Sequence, residues 1–417
     1  MTQSKTAGVL SLLLVALIAL PFTGVRSAMA SPVADVLVYG GPESQNEVSI
    51  AVNPLNANNI VVGFNDYVSS GARWYASYAY SIDGGTRWTY GDPLERGTLT
   101  GNPTCDPWLA FDSEGYVYYV ALTDSFEVFV SVAAPDPTGM AGPQGFGDPQ
   151  IVDDARQYKN DKPAITVDKT GGPYDSNIYV AWAHCTSESC PGVDGFRIFL
   201  RRGTRNPGTT TITWDPAQQV GPDTPTQGAQ VAVGPEGEVY VAYQRQTSSS
   251  IDSADAQLFS YSTDGGSTFP PEQKGIFISS VTPPAWFVSP VEWARHTSYP
   301  TLGVSPTTGT IFIAWTDRRN GNDDILLSRS IDRGRTWLAV PRRVNSISAQ
   351  DQWLPALTVN SLGILYVIFY DRRNDPNNEL TMLYVASSLN EGDTFSNWPI
   401  SSTATNPDAF LNWASGS

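Results

Sequence analysis

From about residue 48 to residue 371 the chain repeats one hydrophobic pattern six times. Each unit opens with two runs rich in Val, Ile, Tyr and Trp, separated by a turn signal: "VSIAVNPLNANNIVVGFND", "PWLAFDSEGYVYYVALTD", "PAITVDKTGGPYDSNIYVAWAH", "AQVAVGPEGEVYVAYQR", "PTLGVSPTTGTIFIAWTD" and "PALTVNSLGILYVIFYD". A third run follows, such as "WYASYAYS", "FEVFVSV" or "DILLSRS". Mixed apolar and aromatic composition suits strands buried on both faces, and no stretch keeps a helical period of useful length. The pattern predicts six antiparallel units.

A second repeat marks the end of the third run. "STDGGSTF" (262–269) and "SIDRGRTW" (330–337) follow S-x-D-x-G-x-T-aromatic in full, "SIDGGTRW" (81–88) puts Arg87 at the Thr position, and "SLNEGDTF" (388–395) replaces the Asp with Asn390. The last three begin 68 and 58 residues apart, and the first two are separated by 181, three periods of about sixty. Two units therefore carry decayed copies. The motif reads as a hairpin device between third and fourth strands: Asp332 accepts backbone N–H groups of its own turn, Gly334 supplies positive φ, and Trp337 packs back on the sheet.

Four-stranded antiparallel units repeated about an axis make a propeller, in which each blade packs on its neighbours and few edges stay open. The expected fold is all-β, a six-bladed β-propeller of four-stranded blades, with residues 31–417 as one domain. "VADVLVYGG" (33–41) is expected to supply the outer strand that completes the last blade.

With four boxes and six units, the chain resembles the sialidase superfamily of Asp-box or BNR-repeat propellers, in particular the secreted bacterial members with "FYDRR"-type segments. The resemblance covers residues 33–400. It implies a sialidase-like fold, with the boxes on the face opposite the ligand-binding mouth, and it implies little about activity, because folds host many functions.

The first thirty residues read as a secretory signal peptide cut after Ala30: Lys5 gives a positive start, "AGVLSLLLVALIAL" a short apolar run, and "AMA" a cleavage signal. The mature chain is then expected to be secreted, with no membrane insertion. The formal charge of −16 falls to −18 when Lys5 and Arg26 leave with the leader, which disfavours nucleic acid as a partner. Three cysteines, Cys105, Cys185 and Cys190, allow three pairings in an oxidising compartment. They and the two histidines show no zinc spacing, and the loops "RRNGNDD" and "RRNDPNNE" offer oxygen ligands to calcium without EF-hand spacing, so no cofactor is expected.

In such a disc, the mouth is reached by residues leaving the second strand of each unit and by residues leading into the first. The former are Asp66, Asp124, His184, Arg245, Asp317 and Asp371. "DRR" at 317–319 and 371–373 reads either as an ion pair that pins a loop or as substrate contact. The latter are Glu47, Asp106, Lys162, Gly228, Tyr299 and Leu354, with Asn46, Asp161, Arg295, His296 and Asp351 just ahead of some of them. These vary, as a ligand site on a repeated scaffold would.

The candidate catalytic groups are Asp317, Asp371, Asp106, Glu47 and Tyr299. The candidate substrate-binding groups are Arg295, Arg318, Arg372, Arg245, His184, His296, Asp351 and Trp353. Arginine clustered in an acidic chain suggests a carboxylate, sulfate or phosphate ligand, gripped bidentately. Trp293 and Trp353 suit either sugar stacking or wedging between blades, and Trp108 suits wedging.

Three functions fit. A glycoside hydrolase acting on extracellular, acidic glycans needs two carboxyl groups, one replaced by tyrosine in sialidases. The Arg-Ile-Pro segment that family enzymes carry before the first box is missing: Arg73 is the only arginine between residues 31 and 80, and "FRIF" (196–199) lacks the proline. A non-catalytic propeller holding a glycan, glycoprotein or other protein needs no acid–base pair. A polysaccharide lyase would use a Tyr–His pair from Tyr299 and His184 or His296.

Overall fold

The computed structural model describes residues 35–406 apart from 41–44, 69–72, 92, 137–141, 144, 156–157, 186–194, 248–252, 285–286, 289–290 and 296. The leader expected at residues 1–30 lies outside them. Six antiparallel sheets are formed, each a meander in which sequence neighbours are sheet neighbours. Blade 1 runs Gln45–Asn53, Asn56–Val68, Arg73–Ser81 and Thr89–Tyr90, and the first strands of blades 2 to 6 are Pro103–Phe111, Asn160–Val167, Thr226–Val233, Thr301–Val304 and Gln352–Val359. Blade 3 splits its outer edge into Ile212–Trp214 and Gln218–Gln219, both paired with Phe196–Arg205. The fold is a six-bladed β-propeller of four-stranded blades, as the hydrophobic pattern predicts.

Side chains alternate across a strand, so a blade between two neighbours needs apolar residues on both faces. The second strand of blade 5, Ile311–Asp317, is buried at every position. Between blades 2 and 3, Tyr118 and Val120 meet Ile165, Ile178 and Trp182; between blades 5 and 6, Phe312 and Leu327 meet Leu357 and Phe369. Burying each such side chain contributes about 1.5–3 kcal/mol before chain entropy is subtracted.

The seam between blades 6 and 1 corrects one expectation. Blade 6 is completed by its own strand, Ser396–Pro399, and the described residues 35–40 form no strand. Instead, Tyr39 stacks on Tyr90 (4.4 Å) and Phe64 (5.7 Å) of blade 1. The hydroxyl of Ser402 donates to Asp35 Oδ2 (3.1 Å), tying the two ends of the ring. The four residues Ser396–Pro399 fill the outer position, so the N-terminal run is free to cover a face.

Cys185 is disulfide-bonded and Cys105 is free, and Cys190 lies outside the described residues. An added hairpin, Phe287–Val288 and Val291–Arg295, lies between blades 4 and 5.

The four boxes share one hydrogen-bond scheme. In the third, the Ser330 hydroxyl donates to Asp332 Oδ1 (2.7 Å) and accepts the Gly334 N–H (2.8 Å), while Thr336 donates N–H and O–H to Asp332 (2.9 and 2.6 Å). Asn390 takes the place of the aspartate in the fourth, accepting the Thr394 N–H at 3.0 Å. These contacts hold Asp332 and Asp264 below the usual carboxylate range against the opposing effect of burial. The motif is a turn, and its polar groups are spent on the turn.

Gly334 has φ of 83°, and a Cβ there would lie 2.1 Å from the Phe259 ring, whereas Gly321 (φ 100°) has open space. Gly334→Ala is therefore expected to cost about 2–4 kcal/mol, strain plus overpacking, and Gly321→Ala only the backbone part, about 1–2 kcal/mol. Urea unfolding midpoints of the two variants check the difference.

Candidate active site

At the mouth, the backbone does what the variable side chains conceal. Glu47, Asp106, Lys162 and Leu354 have φ of 51°, 58°, 49° and 49°, and Gly228 has 71°. Each lies at a break in register between the first and second strands of its blade, the mark of a β-bulge. A left-handed non-glycine residue costs about 1–3 kcal/mol, and here the cost recurs at equivalent positions around one axis. Blade 5 is the exception. Tyr299 keeps negative φ, and its ring fills the space beside Gly228, where a Cβ would come within 2.2 Å.

The bulges bring three charged side chains together. Lys162 Nζ lies 3.1 Å from Glu47 Oε1 and 2.9 Å from Asp106 Oδ1. Asn65, from the second strand of blade 1, donates to Glu47 Oε2 (3.0 Å) and Asn46 Oδ1 (2.9 Å), and accepts the Asp106 N–H (3.0 Å). Gln227 donates to Asp161 Oδ2 (2.9 Å) on the adjoining blade.

About a third of the Glu47 side chain reaches solvent, so the group is crowded but accessible. Burial pushes its carboxyl up to about 7; Lys162 opposes the rise and Asp106 adds to it. Burial pulls the Lys162 ammonium down, but Asp106, Glu47 and Asp161 outweigh it and carry it well above the usual lysine range. Burial and Asp161 raise the Tyr299 hydroxyl, so it stays protonated. Beside the cluster, burial and Asp106 push the Cys105 thiol up to about 12, an unreactive setting.

Of the other residues expected at the mouth, most are engaged in pinning loops. Asp317 is fully buried and bound by Arg319 at 2.7 and 2.8 Å, and Asp371 is held the same way by Arg373. Arg318 pairs with Asp323 (3.0 Å) and Arg245 with Asp255 (2.8 Å). Asp351 accepts the Asp323 N–H (2.9 Å) and an Asn378 amide N–H (2.5 Å). Arg372 is buried 4.7 Å from the Trp353 ring, and Trp353 is itself buried against Tyr370 and Leu383 of its own blade, neither a wedge between blades nor an open sugar platform.

His184 sits 2.8 Å from Asn160 Oδ1, and burial lowers its pKa, with Asp153 opposing. Its charged neighbour is Asp153, whereas those of Tyr299 are Asp161, Lys162, Asp106 and Glu47. His296 and the side chains of Arg295 and Trp293 lie outside the described residues.

The expected ring therefore divides. Glu47, Asp106 and Tyr299 converge with Lys162 and Asp161, while Asp317, Asp371 and the arginines Arg245, Arg318 and Arg372 belong to the scaffold. Among the described residues, no group of three or more His, Cys, Asp or Glu is placed to hold a metal ion. The loops considered for calcium are self-bonded: Asn345 and Asn320 donate to Asp324, and three backbone N–H groups donate to Asp375.

No family model matches the chain, and no curated protein matches it. Among solved structures, an α-L-arabinofuranosidase from Fusarium graminearum aligns at TM-score 0.50 and 10% identity, over 86% of this chain and 96% of its own. An α-L-arabinanase from Penicillium chrysogenum aligns at 0.49 and 14%, over 89% and 96%. A Trypanosoma rangeli sialidase aligns at 0.47 and 13%, over 87% of this chain and 58% of its own. At these identities the likeness establishes the fold alone, a six-bladed propeller.

A coupled cluster of this kind titrates as a unit. Carbon-13 NMR of the glutamate side chains is expected to show Glu47 with a midpoint near 7. Lys162→Met should move that midpoint up, because the opposing ammonium is gone, and Asp106→Asn should move it down. An ordinary glutamate midpoint in all three proteins contradicts the geometry.

Proposed function

We propose that the chain is a secreted glycoside hydrolase that works at the axial mouth with Glu47 and Asp106 as its two carboxyl groups. The observation that carries this reading is the meeting of both on Lys162. The two contacts laid end to end limit the separation of the bonded oxygens to about 6 Å. That upper limit falls short of the 6.5–9.5 Å of inverting glycosidases and takes in the 5–5.5 Å of retaining ones.

Environment separates the roles. Glu47, pushed up to about 7, holds a proton to donate to the glycosidic oxygen. Asp106 attacks the anomeric carbon, so a C–O bond to Asp106 forms as the bond to the leaving alcohol breaks. Water then attacks the same carbon, gives its proton to Glu47, and frees Asp106. Lys162 neutralises one negative charge between the two carboxyls, and Tyr299, beside Asp161, is a hydrogen-bond donor to the sugar. An α-L-arabinofuranosidase with this fold supports a sugar as the ligand of such a mouth.

The charge pattern favours an uncharged glycan over the acidic one expected from the arginines. Arg245, Arg318, Arg319 and Arg373 each face a carboxylate at the rim. On the floor, Asp106 and Asp161 outnumber Lys162 even while Glu47 holds its proton. A uronate or sialate would meet net negative charge there. The leader at residues 1–30 supports export.

Release of reducing sugar from a panel of neutral polysaccharides tests the proposal. Turnover is expected to decline as pH rises through about 7, as Glu47 loses its proton. Glu47→Gln and Asp106→Asn should each lower it about 10²–10⁴-fold in folded protein. Asp371→Asn should instead lower stability by about 3–5 kcal/mol through its uncompensated arginine. Full turnover in Glu47→Gln refutes the assignment.

A further inference from the structure

The second strand of blade 1 is 13 residues long and rises beyond its first-strand partner. Pairing with the first strand ends at Gln45 opposite Asp66, but pairing with the third continues through Tyr67 opposite Trp74 and Val68 opposite Arg73. These two extra strand pairs continue past the level at which the first strand, with the bulge of Glu47, has ended. Side chains two residues apart share a face, so Tyr67 projects on the same side as Asn65, whose amide binds Glu47. Its place is about 7 Å further out. Trp74, directly opposite Tyr67, shares that side.

The two rings meet edge to face, with centroids 5.0 Å apart at 69°. Trp74 remains 37% exposed, one of the few aromatic side chains left in water among the described residues. Single exposed apolar residues are ordinary on a protein surface. This one differs in that its orientation is fixed by a neighbouring ring and its position is continuous with the carboxyl cluster. An indole held in this way, next to groups that donate and accept hydrogen bonds, suits a sugar: the C–H face lies on the ring while the hydroxyls reach the polar floor.

We infer that Trp74, supported by Tyr67, is a stacking subsite for an uncharged sugar ring of a glycan chain that runs from the axial mouth outward over blade 1. The inference rests on the glycosidase reading and adds to it the direction and the chemistry of the ligand. It makes the substrate an oligomer, since one ring at Glu47 and Asp106 and another on Trp74 are held at once. The strand start beside it carries Glu47, so the subsite and the proton donor belong to the same blade and keep a fixed separation.

Fluorine NMR of protein labelled with 5-fluorotryptophan tests this, with Trp74→Phe to assign the signal and arabinohexaose, xylohexaose, cellohexaose and mannohexaose as probes. At least one probe is expected to shift the Trp74 signal. Trp74→Ala should weaken its binding by about tenfold or more, and Tyr67→Ala by less. Because Trp74 lies outside the apolar clusters, both variants keep the fold, which unfolding midpoints verify. A probe that is bound and cleaved with the Trp74 signal unmoved and Trp74→Ala affinity unchanged overturns the subsite and leaves the glycosidase reading standing. No probe bound and none cleaved overturns both.

Discussion

The left-handed bulge that opens the first strand of five of the six blades is the constraint on which the mouth depends. Bulges re-aim a side chain and loosen local pairing, so each needs new partners for its backbone. Those partners come mostly from the blade before. The Asp106 N–H goes to Asn65 of blade 1, the Lys162 N–H to Asp106 of blade 2 at 3.3 Å, and the Leu354 N–H to Thr316 of blade 5 at 3.1 Å. In blade 4 the Gly228 N–H turns to the neighbouring Gln227 side chain, which in turn holds Asp161 of blade 3. Strain at one blade is thus supported by its neighbour, and the ring that closes the disc is the same ring that aims Glu47, Asp106 and Lys162 at one point.

The two faces of the disc divide the work. On one, the boxes use Ser, Asp and Gly to satisfy their own turn and set an aromatic residue such as Trp337 against the blade. On the other, Asp–Arg pairs two residues apart fix the loops after the second strands of blades 5 and 6. This leaves the axial floor negative and only partly neutralised. A floor of that kind can hold a proton near neutrality, which is what a general acid requires.

The repeat made the architecture legible. Six pairs of apolar runs and four boxes lead to six blades, and aligned strand starts lead to Glu47, Asp106 and Tyr299. The sequence was weaker where identity depends on partners. Asp317 and Asp371 read equally as loop-pinning ions or as substrate contacts until the arginine two residues on is seen to fold back. Asn65 lies inside a strand, with no pattern to separate it from a solvated polar residue. Lys162 and Asp161 stood in the aligned ring, but their roles follow from bulges that bring neighbouring blades into register. Trp74 opens the third run of blade 1, and only the length of the hairpin reveals that it lies past the level at which the first strand has ended. The closing strand of blade 6 was missed because four residues carry too little period to be recognised.

The most direct measurement is a crystal structure of the Glu47→Gln protein with an oligosaccharide that the wild type cleaves. The account predicts the scissile oxygen within hydrogen-bonding reach of residue 47, the anomeric carbon facing Asp106, and the chain leaving the axis over blade 1. A sugar seated instead in the lateral groove between Phe277 and Trp337, or on the face that carries the boxes, contradicts it.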